Sequence, residues 1–191
     1  MKKLINIVFL LVLTMTMQAQ EGYSFPVKFR GKAPSVSDFA KAMSQQEDPG
    51  ELLASIRKNK KRRYGNDYVM YFNRIASDRF VWTDTTEICC WDNSDGRHKI
   101  VVMIHRDYSN GKIAAGQYSG LSLYVYDACT RRMEMSSSYD MGIEPPEING
   151  LYIYTLSAKD KTVTISVNSQ SEVCESRTYI WNGRNFTIIK P

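Results

Sequence analysis

The chain has 191 residues, 43% of them hydrophobic and 24% charged, which excludes a disordered chain and leaves room for an ordinary core. Its four cysteines are too few for a disulfide-built miniprotein. A net charge of +5, or +3 without Lys2 and Lys3, is too mild to point to nucleic acid.

The first segment reads as an export signal. Lys2 and Lys3 supply a positive start, Leu4 to Met15 is an apolar run broken only by Asn6 and Thr14, and Gln18-Ala19-Gln20 offers a small residue for cleavage. The apolar run is shorter than the roughly 20 residues of a spanning helix. Residues 1–19 are therefore expected to be a signal peptide. No Cys lies at the junction for a lipoprotein anchor, and no later apolar run suits a transmembrane span. The mature chain is expected in the periplasm or outside the cell.

Residues 20–34 read as an extended segment and 35–191 as one domain, with a helical lead at 35–63 and an antiparallel β region at 68–190. Ser35 to Asp38 offer N-cap side chains ahead of Phe39, Ala40, Ala42 and Met43. Asp48, Pro49 and Glu51 form a second helix start before Leu52, Leu53 and Ile56. Arg57, Lys58, Lys60, Lys61, Arg62 and Arg63 close that helix, where positive charge suits the dipole.

From Tyr68 the hydrophobic period changes to two. Strands are expected near Tyr68–Asn73, Phe80–Asp84, Glu87–Trp91, Lys99–Asp107, Leu121–Asp127, Arg132–Ser136, Leu151–Ser157, Thr162–Asn168, Arg177–Asn182 and Asn185–Ile189. Val163, Ile165 and Val167 alternate with Thr162, Thr164, Ser166 and Asn168, which predicts one buried and one wet face. Asp95-Gly96, Asn110-Gly111, Asn149-Gly150 and Asn182-Gly183 mark turns, and the last suits a type I′ hairpin within Tyr179 to Phe186. Connections this short force antiparallel pairing. The expected class is mainly β (α+β): a meander of about eight to ten strands, curled or closed as a barrel or sandwich, with one or two N-terminal helices packed on it. Leu121–Met135 and Arg177–Ile188 share a strand–turn–strand pattern, too few copies for a propeller. Met141 to Asn149, with Pro145-Pro146, reads as an exposed loop.

The export signal, the capped helical lead, Cys89-Cys90-Trp91-Asp92, the run Gly116 to Tyr124 and the terminal Trp181-Asn182-Gly183 hairpin together resemble a group of uncharacterised exported Bacteroidetes β-rich proteins. The resemblance covers most of the mature chain. It implies export and a β-rich fold, and it carries no activity and no site residue. Asp84-Thr85-Thr86 is also similar to the short O-glycosylation acceptor pattern of such exported proteins.

The residues for familiar chemistries are sparse. His98 and His105 sit at an odd spacing, hence on opposite faces of a strand. Cys89, Asp92 and Asp95 lie near His98 in sequence, but a zinc site needs its ligands in one tetrahedral arrangement, and a tight turn explains them better. Asp92 to Gly96 echoes a calcium loop without its spacing or closing Glu. No metal or cofactor is expected. The chain has no Gly-x-Ser-x-Gly elbow, no P-loop and no dinucleotide fingerprint, so no catalytic residue is assigned. Carboxylate pairs need no local motif, and Glu87 with Asp92 is one such pair among many.

Adjacent Cys89 and Cys90 point to opposite strand faces. In an oxidising compartment a disulfide from this strand to Cys129 or Cys174 is expected, the other possibility being buried thiols that act as small hydrophobes. Residues 57–63 carry six positive charges, fit either for an anionic surface or for a solvated helix end. Tyr124 with Tyr126, Tyr152 with Tyr154, and Tyr179 with Trp181 each share a strand face. Aligned and exposed, they form an aromatic platform for a sugar or peptide; covered, they are a buried layer.

The function expected is a non-enzymatic exported binding domain, with Tyr124, Tyr126, Tyr152, Tyr154 and Trp181 as contacts and a glycan or another envelope protein as partner. The alternatives are a small hydrolase acting on envelope glycan or peptide, or an inhibitor of a secreted enzyme presenting Met141–Asn149 or the Asn182-Gly183 tip.

Overall fold

A computed structural model describes residues 24–46, 61–64, 66–76, 81–110, 112–114, 119–169 and 172–190. The signal segment and the second helix start, with Arg57, Lys58 and Lys60, lie outside the described residues. The fold is mainly β, as expected, with two antiparallel sheets and one short helix among the described residues. The first sheet holds β1 (Ser24–Pro26), β2 (Lys61–Tyr64), β3 (Tyr68–Ala76), β4 (Val81–Asp92), β5 (His98–Ser109), β6 (Lys112–Ala114), β7 (Gly120–Asp127) and β8 (Arg132–Ser136). Its order is β1-β8-β7-β5-β4-β3-β2, with β6 also on β5. The second is a meander of β9 (Leu151–Ser157), β10 (Thr162–Ser169), β11 (Glu172–Trp181) and β12 (Phe186–Lys190). Neither sheet closes into a barrel among the described residues. No described helix is long and apolar enough to cross a membrane, a statement about helices only.

The pattern of side chains explains the layering. In β10, Val163, Ile165 and Val167 are fully buried, and the alternating hydroxyl residues face outward, as their period predicts. In β4 every residue from Thr85 to Trp91 is buried, so both faces of the first sheet are covered. One face carries Ile88, Cys90, Val101, Tyr126 and Met133, packed under Phe25 and helix α1 (Val36–Met43). The Phe39 and Tyr126 rings meet edge-on at 5.1 Å. The other face carries Cys89, Trp91, Ile100, Val102 and Leu123, packed against Val163, Ile165, Tyr179 and Phe186 of the second sheet. Trp181 ties the sheets together by donating its Nε1–H to the Asp92 carbonyl at 3.1 Å.

Several expectations are corrected. The first helix of the lead is Val36–Met43, and Lys61, Arg62 and Arg63 belong to strand β2 rather than to a helix terminus. Residues 61–64 pair antiparallel with 68–71, which places their backbone groups in a ladder. Ser35 does cap α1, its N–H and Oγ both donating to Asp38 Oδ2 at 2.8 and 2.7 Å. The expected strands near Phe80–Asp84 and Glu87–Trp91 fall, from Val81 onward, in one strand, because Thr85 and Thr86 find partners within the sheet instead of turning. The Asn182-Gly183 turn is not type I′. Trp181 pairs with Phe186 across a four-residue loop in which Gly183, at φ +96°, is the left-handed residue. Asn182 Oδ1 accepts the N–H groups of Arg184 and Asn185, and this side-chain cap replaces the tight turn. The loop tip is also docked, since Ser94 N–H donates to the Gly183 carbonyl at 2.7 Å.

The loop at Met141–Asn149 keeps Glu144, Glu147 and Ile148 exposed but is not a free arm. Ile143 is fully buried in the inter-sheet core. Phe186 N–H donates to the Met141 carbonyl at 2.8 Å, and Arg177 and Tyr179 donate to that of Glu144. The neighbouring Gly142 has φ +82°, and a Cβ there would stand 2.5 Å from the Phe186 carbonyl oxygen. Gly96, at φ +67°, has open space around that position. Gly142→Ala is expected to lower stability by about 1–3 kcal/mol, and clearly more than Gly96→Ala, which meets the backbone penalty without the clash. Urea unfolding of the two variants measures the difference.

Candidate functional site

A cleft of about 210 Å³ opens where three connections meet at one end of the first sheet. The β1–α1 segment contributes Phe29, Lys32 and Pro34, the β4–β5 hairpin Arg97, His98 and Lys99, and the β7–β8 turn Arg131. Several of these side chains are held by local chemistry. Asp95 accepts the N–H groups of Arg97 and His98 at 2.9 Å and the His98 ring, which lowers its carboxyl to about 2. Arg97 grips Asp127 through Nε and Nη2 at 2.8 and 2.6 Å, and that pairing holds the Asp127 carboxyl well below its usual range. Asp127 also accepts from Cys129 N–H and Thr130 Oγ1, so it fixes its own turn. Lys99 pairs with Asp92. Arg131, left-handed at φ +55°, places its guanidinium over the Phe29 ring at 5.2 Å.

A second cleft, of about 490 Å³, lies between the β2–β3 and β9–β10 turns and is lined by Asp67, Tyr68 and Leu156–Lys159. The Tyr68 hydroxyl on its wall donates inward to Glu87 Oε2 at 2.7 Å. Glu87 is also paired with Arg106 inside the protein. On the opposite face of the same sheet, Thr86 Oγ1 lies 3.1 Å from His105 Nδ1, and His105 Nε2 lies 3.4 Å from Asp107 Oδ1. Hydroxyl, imidazole and carboxylate in line are the parts of an activated nucleophile. Thr86, however, is 0% exposed, so no substrate carbonyl reaches its oxygen.

The aromatic residues expected to form a platform are divided between two cores. Tyr126 is 1% exposed under α1, although its edge reaches the basic cleft. Tyr124 packs on the same side, edge-on to Phe25. Tyr152 and Tyr154 stack on each other at 6.4 Å, half-buried in the inter-sheet core, where Trp181 is buried too. These residues do not make one surface, because the first sheet lies between the two groups. Glu87 and Asp92 are not a pair either, since they project from opposite faces of β4. Thr85 and Thr86 of the glycosylation-like pattern are buried mid-strand. Among the described residues no three His, Cys, Asp or Glu gather as metal ligands.

The expected disulfide from the Cys89–Cys90 strand is absent. Both thiols are unbridged and buried in different cores, while Cys129 and Cys174 are exposed elsewhere. Burial raises both buried thiols, Cys90 to about 12, with the nearby Asp67 adding to the effect. Native protein treated with a thiol reagent at pH 8 should label at Cys129, and at Cys89 and Cys90 only after unfolding.

No protein family, curated protein or solved structure matches this chain. The cleft cations escaped sequence reasoning because they come from segments about 30 residues apart or more and form no run. The buried pair had a weak signal, a Glu just before Ile88-Cys89-Cys90-Trp91. Breaking it leaves a lone buried charge. Glu87→Ala or Arg106→Ala should cost about 3–5 kcal/mol by urea unfolding, and the joint replacement Glu87→Leu with Arg106→Met should restore most of it.

Proposed function

We propose that the chain is an exported, non-enzymatic binding domain of the cell envelope or extracellular space, with a glycan as its ligand. The placement of its polar groups carries this reading. Thr86, His105, Asp107, Glu87 and Arg106, the groups best suited to acid–base or nucleophilic work, are buried or nearly so and occupied with one another. The smaller cleft is built instead from fixed ion pairs and an aromatic ring, which suit recognition. Among the described residues Asp67 is the one carboxylate lining the larger cleft and Asp92 the one lining the smaller. A glycosidase needs two flanking the scissile bond, so the hydrolase alternative is the weaker one. The inhibitor alternative loses its hairpin tip, which is docked on Ser94. Export rests on the N-terminal signal pattern.

The full chain expressed in a Gram-negative host should be recovered from periplasm or medium with Gln20 at its N-terminus. The recovered protein should bind members of a panel of neutral and acidic glycans saturably and leave their lengths unchanged. Retention in the cytoplasm would remove the export half of the reading, and time-dependent shortening of any glycan would replace binding with hydrolysis.

A further inference from the structure

We infer that the cleft at the β4–β5 hairpin is a site for a single oxyanion group, a carboxylate or a phosphate, carried on a glycan. The inference rests on the binding-domain reading and names the chemistry of its ligand. Four cations line the cleft: Lys32, Arg97, Lys99 and Arg131. Two of them are neutralised within the protein, Arg97 by Asp127 and Lys99 by Asp92. The His98 ring is likewise held by Asp95. Lys32 and Arg131 have no carboxylate partner among the described residues. The cleft therefore carries an unanswered charge of two cations, and Asp92, the carboxylate on its wall, does not cancel it because Lys99 already does.

The geometry of Arg131 favours an oxyanion over a diffuse negative surface. Its guanidinium carbon lies 5.2 Å from the centre of the Phe29 ring, a contact that holds the group in place, and its N–H fork has no acceptor among the described residues. That fork matches the two oxygens of a carboxylate or phosphate. The Arg131 backbone is itself pinned, its carbonyl accepting Val27 N–H at 2.9 Å. Lys32, from a different segment, adds a mobile point charge on the same cleft. Size limits the ligand further. A volume of about 210 Å³ is below the ~300–1,000 Å³ of pockets that enclose drug-sized molecules. It takes one charged group with its immediate carbon frame, and Phe29 and Pro34 offer apolar walls to such a frame.

The test is an amide titration of the isotope-labelled full chain at low salt with sodium glucuronate, inorganic phosphate and, as the neutral control, glucose. Glucuronate or phosphate should shift the amides of Arg97–Lys99 and Ala128–Arg131 saturably at millimolar concentration, with no response to glucose. Tighter binding of glucuronate assigns a sugar acid, and tighter binding of phosphate assigns a phosphate ester. Arg131→Gln and Lys32→Gln should each weaken binding about tenfold, with Arg131→Lys intermediate because it keeps the charge and loses the fork. Lys32 is an exposed loop residue, so its variant reports binding even if a change at the left-handed Arg131 disturbs folding. Absence of saturable shifts with both anions, or affinity undiminished from that of the unsubstituted protein in both Gln variants, overturns the oxyanion site. Neutral glycans binding with these variants unaffected would leave the binding-domain reading standing and remove this one alone.

Discussion

The first sheet is covered on both faces at its centre, and most features of this protein follow from that constraint. An antiparallel sheet ordinarily leaves one face to water and reads as alternating apolar and polar residues. Here α1 with the N-terminal strand lies on one side and β9–β12 on the other. Fully burying a Val, Leu, Ile or Phe side chain contributes roughly 1.5–3 kcal/mol, and β5 delivers Val101 to one core and Ile100, Val102 and Ile104 to the other. The same constraint assigns Cys89 and Cys90 to separate interiors. A thiol there gains by packing as a small apolar group, and burial disfavours the thiolate that oxidation would require.

A strand buried on both sides has no wet face on which to place polar side chains, so each must find a partner within the sheet. Thr85 donates to the Arg106 carbonyl at 3.0 Å, Thr86 meets His105, and Glu87 meets Arg106 and Tyr68. Desolvating a carboxylate and a guanidinium costs several kcal/mol for each ion, and the mutual attraction offsets this only with good geometry and extra hydrogen bonds. Tyr68 supplies such a bond. The pair therefore contributes little net stability compared with an apolar replacement, while the loss of either partner alone is severe. Its effect is on register: a one-residue slip of β4 against β5 would send Glu87 to the opposite core, away from Arg106.

Legibility of the sequence tracks this layering. Arg132–Ser136 and Leu151–Ser157 match the observed β8 and β9 residue for residue, and β10 follows its alternation closely, with Val163, Ile165 and Val167 buried and the residues between them partly exposed. Legibility fails where long-range pairing decides. Lys61–Tyr64 has the composition of a charged helix end and becomes a strand through its register with β3. Ser24–Pro26 becomes a strand through β8, more than 100 residues away. Thr85, Thr86 and Glu87 look like a break between strands until the partners on β5 are known. The tyrosine pairs do share strand faces, as their spacing predicts, but which core each face enters depends on sheet stacking. Tyr124 and Tyr126 turn towards α1, and Tyr152 and Tyr154 towards the inter-sheet core.

Two covered faces also determine where recognition is possible. With the centre of the first sheet closed to solvent, accessible side chains of that sheet are concentrated at strand ends and in the turns between them. At one such end the β1–α1 segment, the β4–β5 hairpin and the β7–β8 turn converge. Each is stiffened by a carboxylate that caps it locally, Asp38 in the first, Asp95 in the second and Asp127 in the third. Asp95 and Asp127 each pair with a nearby cationic or imidazole side chain as well, so the hairpin and the β7–β8 turn reach the cleft with their charges already balanced. The charges left over, Lys32 and Arg131, are the ones no capping role requires. A rigid scaffold with balanced turns and a surplus Arg131 set over one aromatic ring has the ordering cost of that group met by the fold rather than by the ligand, a condition that favours selective binding of a small anion.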